Sequence, residues 1–522
     1  MSRRAPGRER SPVLDGRWPS ILAVAAPATL ALVLAGRMSV TWPLWRDEFA
    51  TRQYAALDLG GLVSATSHVD AVIAPYYAFV HLFSGLTGLG AGMRIWSVLA
   101  FGAAVAIVAA LALRWWGRVA AVVAGTMLAL NASVLSQAAN ARPYALALAG
   151  IALATILLDG ALRQRPRRRG AALALWAGYA AAAVFTALMQ PFAATALVVT
   201  AVLVRSRGGL LRWVLASAPW ALAALLLLWR ARSQSGQIEW VAPIDTDLVL
   251  SSLAKAAGMT GREFPAPAVM VALVAVAAVL AVVLSTRRRE ALFAAALVVV
   301  PVALLVVLSL LVQPAVSWRY LLWTSLGVAL LAGAAVGRAR VGRGAPGSGP
   351  RPLPRLARVV AVSVVAALLL GTGWHAAAVA TGRPPVRDDF PGAVARMQED
   401  ARVGDLLVVV QRYGQGGVAL GFALSAGDDA FVQEIEDASP RGPRPPLALR
   451  VITGTDPLRT APAEDPMPTA APGRSLWLVG VSSPRREDPS VLPAAVAACF
   501  GQASETTRID LRSTRLYRIP CG

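Results

Sequence analysis

The chain has 522 residues, of which 56% are hydrophobic and only 15% charged, and its mean hydropathy is +0.58. Soluble globular chains carry about 45–50% apolar and about 25% charged residues, so disordered, fibrous and disulfide-framework classes are excluded and a polytopic membrane protein remains. The net charge of +21 is almost all arginine, since Lys255 is the single lysine, and the arginines cluster between apolar runs as in cytoplasmic loops, which speaks against a nucleic-acid partner.

Arg3, Arg4, Arg8, Arg10 and Arg17 precede a first apolar run at Ile21–Gly36, and no small-residue cleavage site follows it. It reads as an uncleaved first helix with the N-terminus inside. The next candidates are Ala71–Gly88, Arg94–Leu113, Arg118–Gln137, Pro143–Leu162, Ala171–Met189, Phe192–Val204 and Trp213–Trp229, followed by Ala268–Leu284, Ala291–Val312, Tyr320–Val336 and Val359–Val379.

Ala71–Gly88 decides the topology. Counted as a span, it puts every later arginine cluster outside; laid along the outer surface, it puts them all inside with the basic N-terminus. Charge bias favours the second arrangement, and a short run containing His81, Tyr76, Tyr77 and two glycines suits an interfacial helix. The expectation is an α-helical polytopic protein with about 11 transmembrane helices, N-terminus in and C-terminus out. Its parts are a cytoplasmic tail at 1–20, a transmembrane domain at 21–382 with a first external loop at 39–93, and an extracytoplasmic domain at 383–522.

That last region gains Asp, Glu, Pro and Gly and loses long apolar runs, which reads as a small α/β domain. Ala393–Ala401 is expected as a helix, Asp405–Gln411 and Leu476–Val481 as buried strands, and Ser513–Ile519 as an edge strand. Ala438–Pro446 and Thr455–Gly473 read as loops. Cys499 and Cys521 both lie here, where a disulfide is permitted but two unpaired thiols are the alternative.

With sides assigned, the chemically varied residues collect outside. Asp47 and Glu48 sit shortly after the first span, and charge near membrane depth is costly and usually functional. Adjacent helical residues point about 100° apart, so at most one carboxylate faces a given site. One of them can act as base toward a hydroxyl, or the pair can form a surface salt bridge with Arg46 or Arg52. Arg142-Pro143-Tyr144 opens an outward-facing helix, and Arg319-Tyr320 and Arg94 repeat the placement. Such arginines either snorkel to the interface or bind an anion such as phosphate. Asp70 is placed to N-cap the interfacial helix. His68 is a hydrogen-bonding site residue or a loop histidine, and His-x-Asp alone lacks the partners for a metal. Trp240, Trp318, Trp323, Tyr76 and Tyr77 fit an interfacial aromatic belt.

In this order, RDEFAT at Arg46–Thr51, HVDAVIAPYY at His68–Tyr77, ARPYAL at Ala141–Leu146, WRYLL at Trp318–Leu322, and RDDFPGAVARM with GDLLVVV across Arg387–Val410 resemble the GT-C superfamily of polyprenyl-phosphate-sugar glycosyltransferases, in particular the family 39-like mannosyltransferases of actinobacteria. The resemblance implies amphipathic helices over a cavity in the first external loop, and Asp47 as the catalytic acidic residue with Glu48 completing the pair. It departs from the family pattern at Asn140, where a glutamate often stands, and at Arg94-Ile95-Trp96-Ser97 in place of Arg-Leu-Pro-Ser.

The expected function is therefore inverting transfer of a sugar, mannose by resemblance, from a polyprenyl-phosphate donor to a glycan, lipid or protein acceptor at the outer face of a bacterial cell membrane. Asp47 and Glu48 are the catalytic candidates, and Arg142, Arg319 and Arg94 the donor phosphate-binding ones. His68, Asp70, Tyr76, Tyr77, Asn140, Tyr144 and Tyr320 are expected to bind substrate, with no cofactor and no obligatory metal. A transporter or flippase of lipid-linked sugars is the rival from another class, although the spans are nearly free of central charge; an inactive membrane scaffold is the third.

Overall fold

The computed structural model describes residues 17–67, 69–164, 169–238, 241–259, 267–337, 352–381, 388–410, 417–437, 447–452, 460–462, 474–480, 507–511 and 514–521. A first helix α1 (Trp18–Thr41) is followed by three short ones, α2 (Arg46–Ala55), α3 (Leu59–Thr66) and α4 (Ala74–Thr87). The bundle continues with α5 (Ile95–Trp116), α6 (Arg118–Ala129), α7 (Ala132–Ala138), α8 (Tyr144–Arg163), α9 (Arg169–Met189), α10 (Ala194–Val199) and α11 (Arg207–Ala231). It closes with α12 (Thr246–Ala256), α13 (Pro267–Leu284), α14 (Arg288–Leu311), α15 (Thr324–Val336) and α16 (Pro352–Thr381).

The chain is a multi-pass membrane protein. Among the described residues, eight helices are long and apolar enough to cross a bilayer, and α6 with α7 passes as a pair bent by 63°. Asn131 makes that bend: its side chain accepts from the Val134 N–H to start α7 afresh, and its amide donates to the Ala256 carbonyl. Two shorter apolar segments, Pro191–Leu203 and Thr324–Val336, fall where spans are expected. Helix contacts are close where glycine stands. A Cβ on Gly125 would come within 2.7 Å of Pro27, and one on Gly327 within 2.6 Å of the Ala294 carbonyl oxygen.

The 14-residue α4 is not among the candidate spans. The chain on either side of it settles the point, because Arg94, at the start of α5, donates to the carbonyls of Ser39 and Trp42 at the end of α1. Everything from 42 to 94 therefore begins and ends at one end of the bundle, as charge bias anticipates. Asp70 does not cap α4, however. It holds φ of 57°, its backbone carbonyl accepts from Ile73 and Ala74, and its carboxylate accepts from the Tyr77 hydroxyl instead. Nor do the aromatics form a belt throughout: Trp323 is buried and donates to Thr195, and Tyr76 and Tyr77 are buried too.

Beyond the bundle lie α17 (Phe390–Asp400), β1 (Leu406–Val410), α18 (Gly417–Ala426), α19 (Asp429–Asp437), β2 (Leu447–Ile452), β3 (Thr460–Pro462), β4 (Arg474–Gly480), β5 (Thr507–Leu511) and β6 (Thr514–Cys521). The sheet runs β3-β2-β1-β4-β6-β5, with β1 and β4 parallel and the other neighbours antiparallel. β1 and β4 are buried apolar strands as expected. β6 is not an edge strand: β5 covers it, and the Arg518 guanidinium lies over the Trp477 ring and donates to Ser475. β3 falls inside a stretch expected as loop, whereas Ala438–Pro446 and Cys499 lie outside the described residues.

Candidate active site at one end of the bundle

The 3-10 turn Trp318–Leu321, α2, the start of α5 and the segment before α8 converge at the end of the bundle where α1 finishes. The two adjacent carboxylates of α2 have different fates there. Glu48 is fully buried, and its Oε1 accepts from Arg94 Nε at 2.6 Å and from the Ala141 N–H at 2.8 Å. Its Oε2 accepts from Arg94 Nη2 at 2.6 Å and from the Trp45 N–H at 3.4 Å, which closes a capping box on α2.

Arg94 is 1% exposed, and its five N–H donors have five acceptors: Glu48 twice and the carbonyls of Ser39, Trp42 and Pro43. No donor remains for a phosphate. The expected donor-binding role of Arg94 is therefore corrected, as is the direct catalytic role of Glu48: together they tie α1, α2, α5 and the segment before α8. A buried ion pair of this kind offsets its desolvation only with every lone pair and hydrogen used, as here.

Asp47 faces the other way, with its side chain 20% exposed. Its Oδ2 lies 3.8 Å from Arg142 Nη2 and 3.9 Å from Arg319 Nη1, so two guanidinium groups flank one accessible carboxylate. The Arg142 position is built from α2 as well. Glu48 accepts from the Ala141 N–H, Thr51 donates to the Ala141 carbonyl at 3.4 Å, and Ser97 donates to the Arg142 carbonyl. Arg142 is 6% exposed, yet its Nε has no hydrogen-bond partner among the described residues and its contact to the Asp47 carbonyl is 3.5 Å. Burial alone would lower its pKa; Asp47 leads the charges that raise it, and the side chain stays cationic. Arg319 is stacked over Trp45 at 5.4 Å and Trp318 at 5.7 Å.

The remaining expected residues divide. Tyr144 begins α8 beside Arg142 and is buried, Asn140 is buried in the same segment, and Tyr320 packs on Phe192 with ring centroids 4.6 Å apart. Asp70, Tyr77 and Tyr54 form a buried set: Tyr77 donates to Asp70 and stacks on Tyr54 at 4.9 Å. Burial, then the Asp70 charge, push the Tyr77 hydroxyl well above the usual tyrosine range. His68 lies outside the described residues.

Other buried polar atoms at the ends of the helices lack partners among the described residues: Gln137 Oε1 on α7, Gln190 Oε1 after α9, and the hydroxyls of Thr324 and Ser325 at the start of α15. All stand at the Asp47 end of their helices. Buried polar groups are normally satisfied, so these are groups for a ligand or water to complete. Thr324 and Ser325 were not singled out in the sequence, where a hydroxyl pair at the start of an apolar run looks like a helix start. Among the described residues no three His, Cys, Asp or Glu side chains converge as metal ligands.

A second polypeptide region supports α2. The Arg46 N–H donates to Asp388 at 3.0 Å, Phe49 meets Phe390 edge-on at 5.9 Å, and α18 packs across α2 at Gly421.

No family model and no curated protein matches the chain. Among solved structures it is similar to ArnT from Cupriavidus metallidurans in the apo state, with 12% identity, 96% of this chain and 97% of that chain covered, and a TM-score of 0.51. The same ArnT bound to undecaprenyl phosphate aligns at 11% identity and TM-score 0.48, over 96% of this chain and 97% of that one. The arabinofuranosyltransferase AftD from Mycobacteria aligns at 15% identity and TM-score 0.44, over 97% of this chain and 40% of its own. The likeness to ArnT, at a TM-score of 0.51 over nearly the whole of both chains, is one of fold.

Proposed function

We propose that the protein is a membrane glycosyltransferase that moves a sugar from a polyprenyl-phosphate donor to an acceptor hydroxyl, with inversion. The observation that carries this reading is the accessible Asp47 carboxylate held between the Arg142 and Arg319 guanidinium groups at 3.8 and 3.9 Å. The fold likeness to ArnT supports it.

In this mechanism the acceptor oxygen attacks the anomeric carbon and the bond from that carbon to the phosphate oxygen breaks. The polyprenyl phosphate leaves with the bonding electrons, and Asp47 takes the acceptor proton. Arg142, whose buried Nε awaits an acceptor, and Arg319 bind the phosphate and stabilise the charge that grows on it. Because they are close to Asp47 as well, they hold base and leaving group in one frame. Two fixed cations supply the charge that a divalent ion would otherwise bring, so no cation is required. Gln137, Gln190, Thr324 and Ser325 are suited to sugar hydroxyls, and Glu48 and Arg94 act by positioning. The arginine-rich end of the bundle faces the cytoplasm and the Asp47 end faces outward. Mannose is the sugar that the motifs favour.

The test is incubation of membranes containing the protein with radiolabelled polyprenyl-phosphate-mannose and, in parallel, the arabinofuranose donor, each with and without a chelator. Label passing to a product from either donor supports the reaction class. Movement of donor across the membrane without transfer would replace this reading with a flippase.

A further inference from the structure

The end of the bundle away from Asp47 holds a second built feature that the proposed reaction does not use. A cavity of about 570 Å³ opens where α5 ends and α14 begins, lined by Arg114, Trp115, Arg205, Arg287, Arg288 and Arg289. α5 separates it from the site by 22 residues, roughly 33 Å at 1.5 Å per residue.

Two buried carboxylates organise the arginines. Glu290 Oε1 accepts from Arg205 at 3.0 Å and Arg287 at 3.4 Å, with Arg163 at 3.6 Å. Asp159 pairs with Arg163 at 2.8 Å and Arg114 at 3.1 Å, and accepts from the Trp115 indole. Arg289 donates to the Val202 carbonyl. Arg288 has no ion pair among the described residues. Five arginines and one carboxylate, Glu290, thus line the space, an excess of four positive charges, with Arg163 and Asp159 bracing it from behind.

A solvated arginine loop would satisfy the positive-inside rule without any of this: without a cavity, and without buried acids fixing the guanidinium groups. The fixed forks match phosphate geometry. What selects the source is the surface beneath. Arg288, Leu292 and Val299 lie on one face of α14, and Leu292 and Val299 are 49% and 63% exposed. A phosphate seated at Arg288 is thereby continuous with an apolar strip running toward the bilayer centre, which suits an acyl chain and offers nothing to a free ion.

We propose that this pocket binds the phosphate headgroup of an anionic membrane lipid, with its acyl chain along the Leu292–Val299 face of α14. The full-length protein, purified in detergent, is challenged with equal phosphatidylglycerol and phosphatidylcholine and the retained lipid is weighed by native mass spectrometry. Retention of phosphatidylglycerol at least fivefold over phosphatidylcholine, reduced at least fivefold by Arg288→Gln, is the expected result. A second arm needs no variant: inorganic diphosphate added to the wild type displaces the retained phosphatidylglycerol. Equal retention of the two lipids, or undiminished retention in Arg288→Gln, overturns the proposal. Stabilisation by diphosphate with no preference for the anionic lipid overturns the lipid assignment in favour of a free phosphate.

Discussion

Arg94 and Glu48 meet as a two-pronged pair, Nε to Oε1 and Nη2 to Oε2 at 2.6 Å each, with neither side chain more than 1% exposed. The bond joins the start of α5 to α2, and through Ala141 it reaches the segment that carries Arg142. Removing one partner leaves the other charged and buried. Arg94→Met is expected to destabilise by about 3–5 kcal/mol, read as a fall in melting temperature in detergent or a loss of monodisperse protein. Arg94→Lys should rescue little, because one ammonium cannot reach acceptors arranged around a planar fork. A phosphate-binding Arg94 would behave otherwise, keeping its melting temperature and losing donor affinity.

Asp47 and Glu48 should separate cleanly under isosteric substitution. Asp47→Asn keeps the shape of a partly exposed side chain and removes its basicity, so transfer should fall by about 10²–10⁴-fold with a smaller fall in melting temperature than Glu48→Gln, because its contacts to Arg142 and Arg319 are long, 3.8 and 3.9 Å. Glu48→Gln should lower the melting temperature first, since the Arg94 guanidinium loses its counter-charge inside the protein. Measuring initial transfer rate and unfolding on the same preparations checks both; an active Asp47→Asn at normal membrane levels removes the proposed base.

Arg142→Gln is expected to lower transfer by about 10²–10³-fold, the usual consequence of deleting a donor that faces developing charge. Arg319→Gln should cost less, since its guanidinium is more exposed and leans on Trp45 and Trp318. If both bind one phosphate, the double variant should fall short of the product of the singles, because residues sharing a partner are not additive. Rates at saturating and limiting donor distinguish weaker binding from slower chemistry.

Much of this was legible in the chain because apolar runs and arginine clusters are one-dimensional signals. The spans, the shared side of Asp47, Arg142 and Arg319, and the surface course of α4 all follow from them. The division of labour between Asp47 and Glu48 was not, because the two are chemically alike and adjacent, and only the direction of Arg94, 46 positions away, tells them apart. Arg94 itself looked like Arg142 and Arg319, a cation at a helix start, and its five acceptors include three backbone carbonyls that no residue pattern announces. Asp70 failed as a cap because its backbone adopts a left-handed conformation. β6 looked like an edge because it mixes Arg and Thr with Leu, Tyr and Ile, and nothing in the sequence marked Thr507–Leu511 as the strand that covers it.

Tyr77 provides a test in pH. Burial and the Asp70 charge raise its folded pKa above that of a free tyrosine, so the stabilisation it gives is whole below the free tyrosine's range, near pH 10, and is lost as the pH climbs toward the folded value. Tyr77→Phe deletes the 2.8 Å bond to Asp70 and leaves a buried carboxylate short of a donor, at about 1–3 kcal/mol. The variant should therefore be less stable than wild type at pH 8 but lose stability less steeply above pH 10. Chemical unfolding across that range shows whether the two curves converge.

Gly421 is where the C-terminal region touches α2. A Cβ there would lie 2.6 Å from the Phe390 ring and 2.8 Å from the Phe49 ring, and Phe49 is two positions from Asp47 on α2. Gly421→Val must push α18 off α2 or turn both rings, an overpacking cost of about 1–3 kcal/mol. The helical bundle owes its own packing to other contacts, so the protein should still fold and insert. Transfer should nonetheless fall, because Asp47 keeps its distances to Arg142 and Arg319 only while α2 is pressed down from above by α18 and held at its start by Asp388. Limited proteolysis of the C-terminal region, read beside the transfer rate, checks the link: faster cleavage with full activity would mean that α2 is held by Glu48 and Arg94 alone.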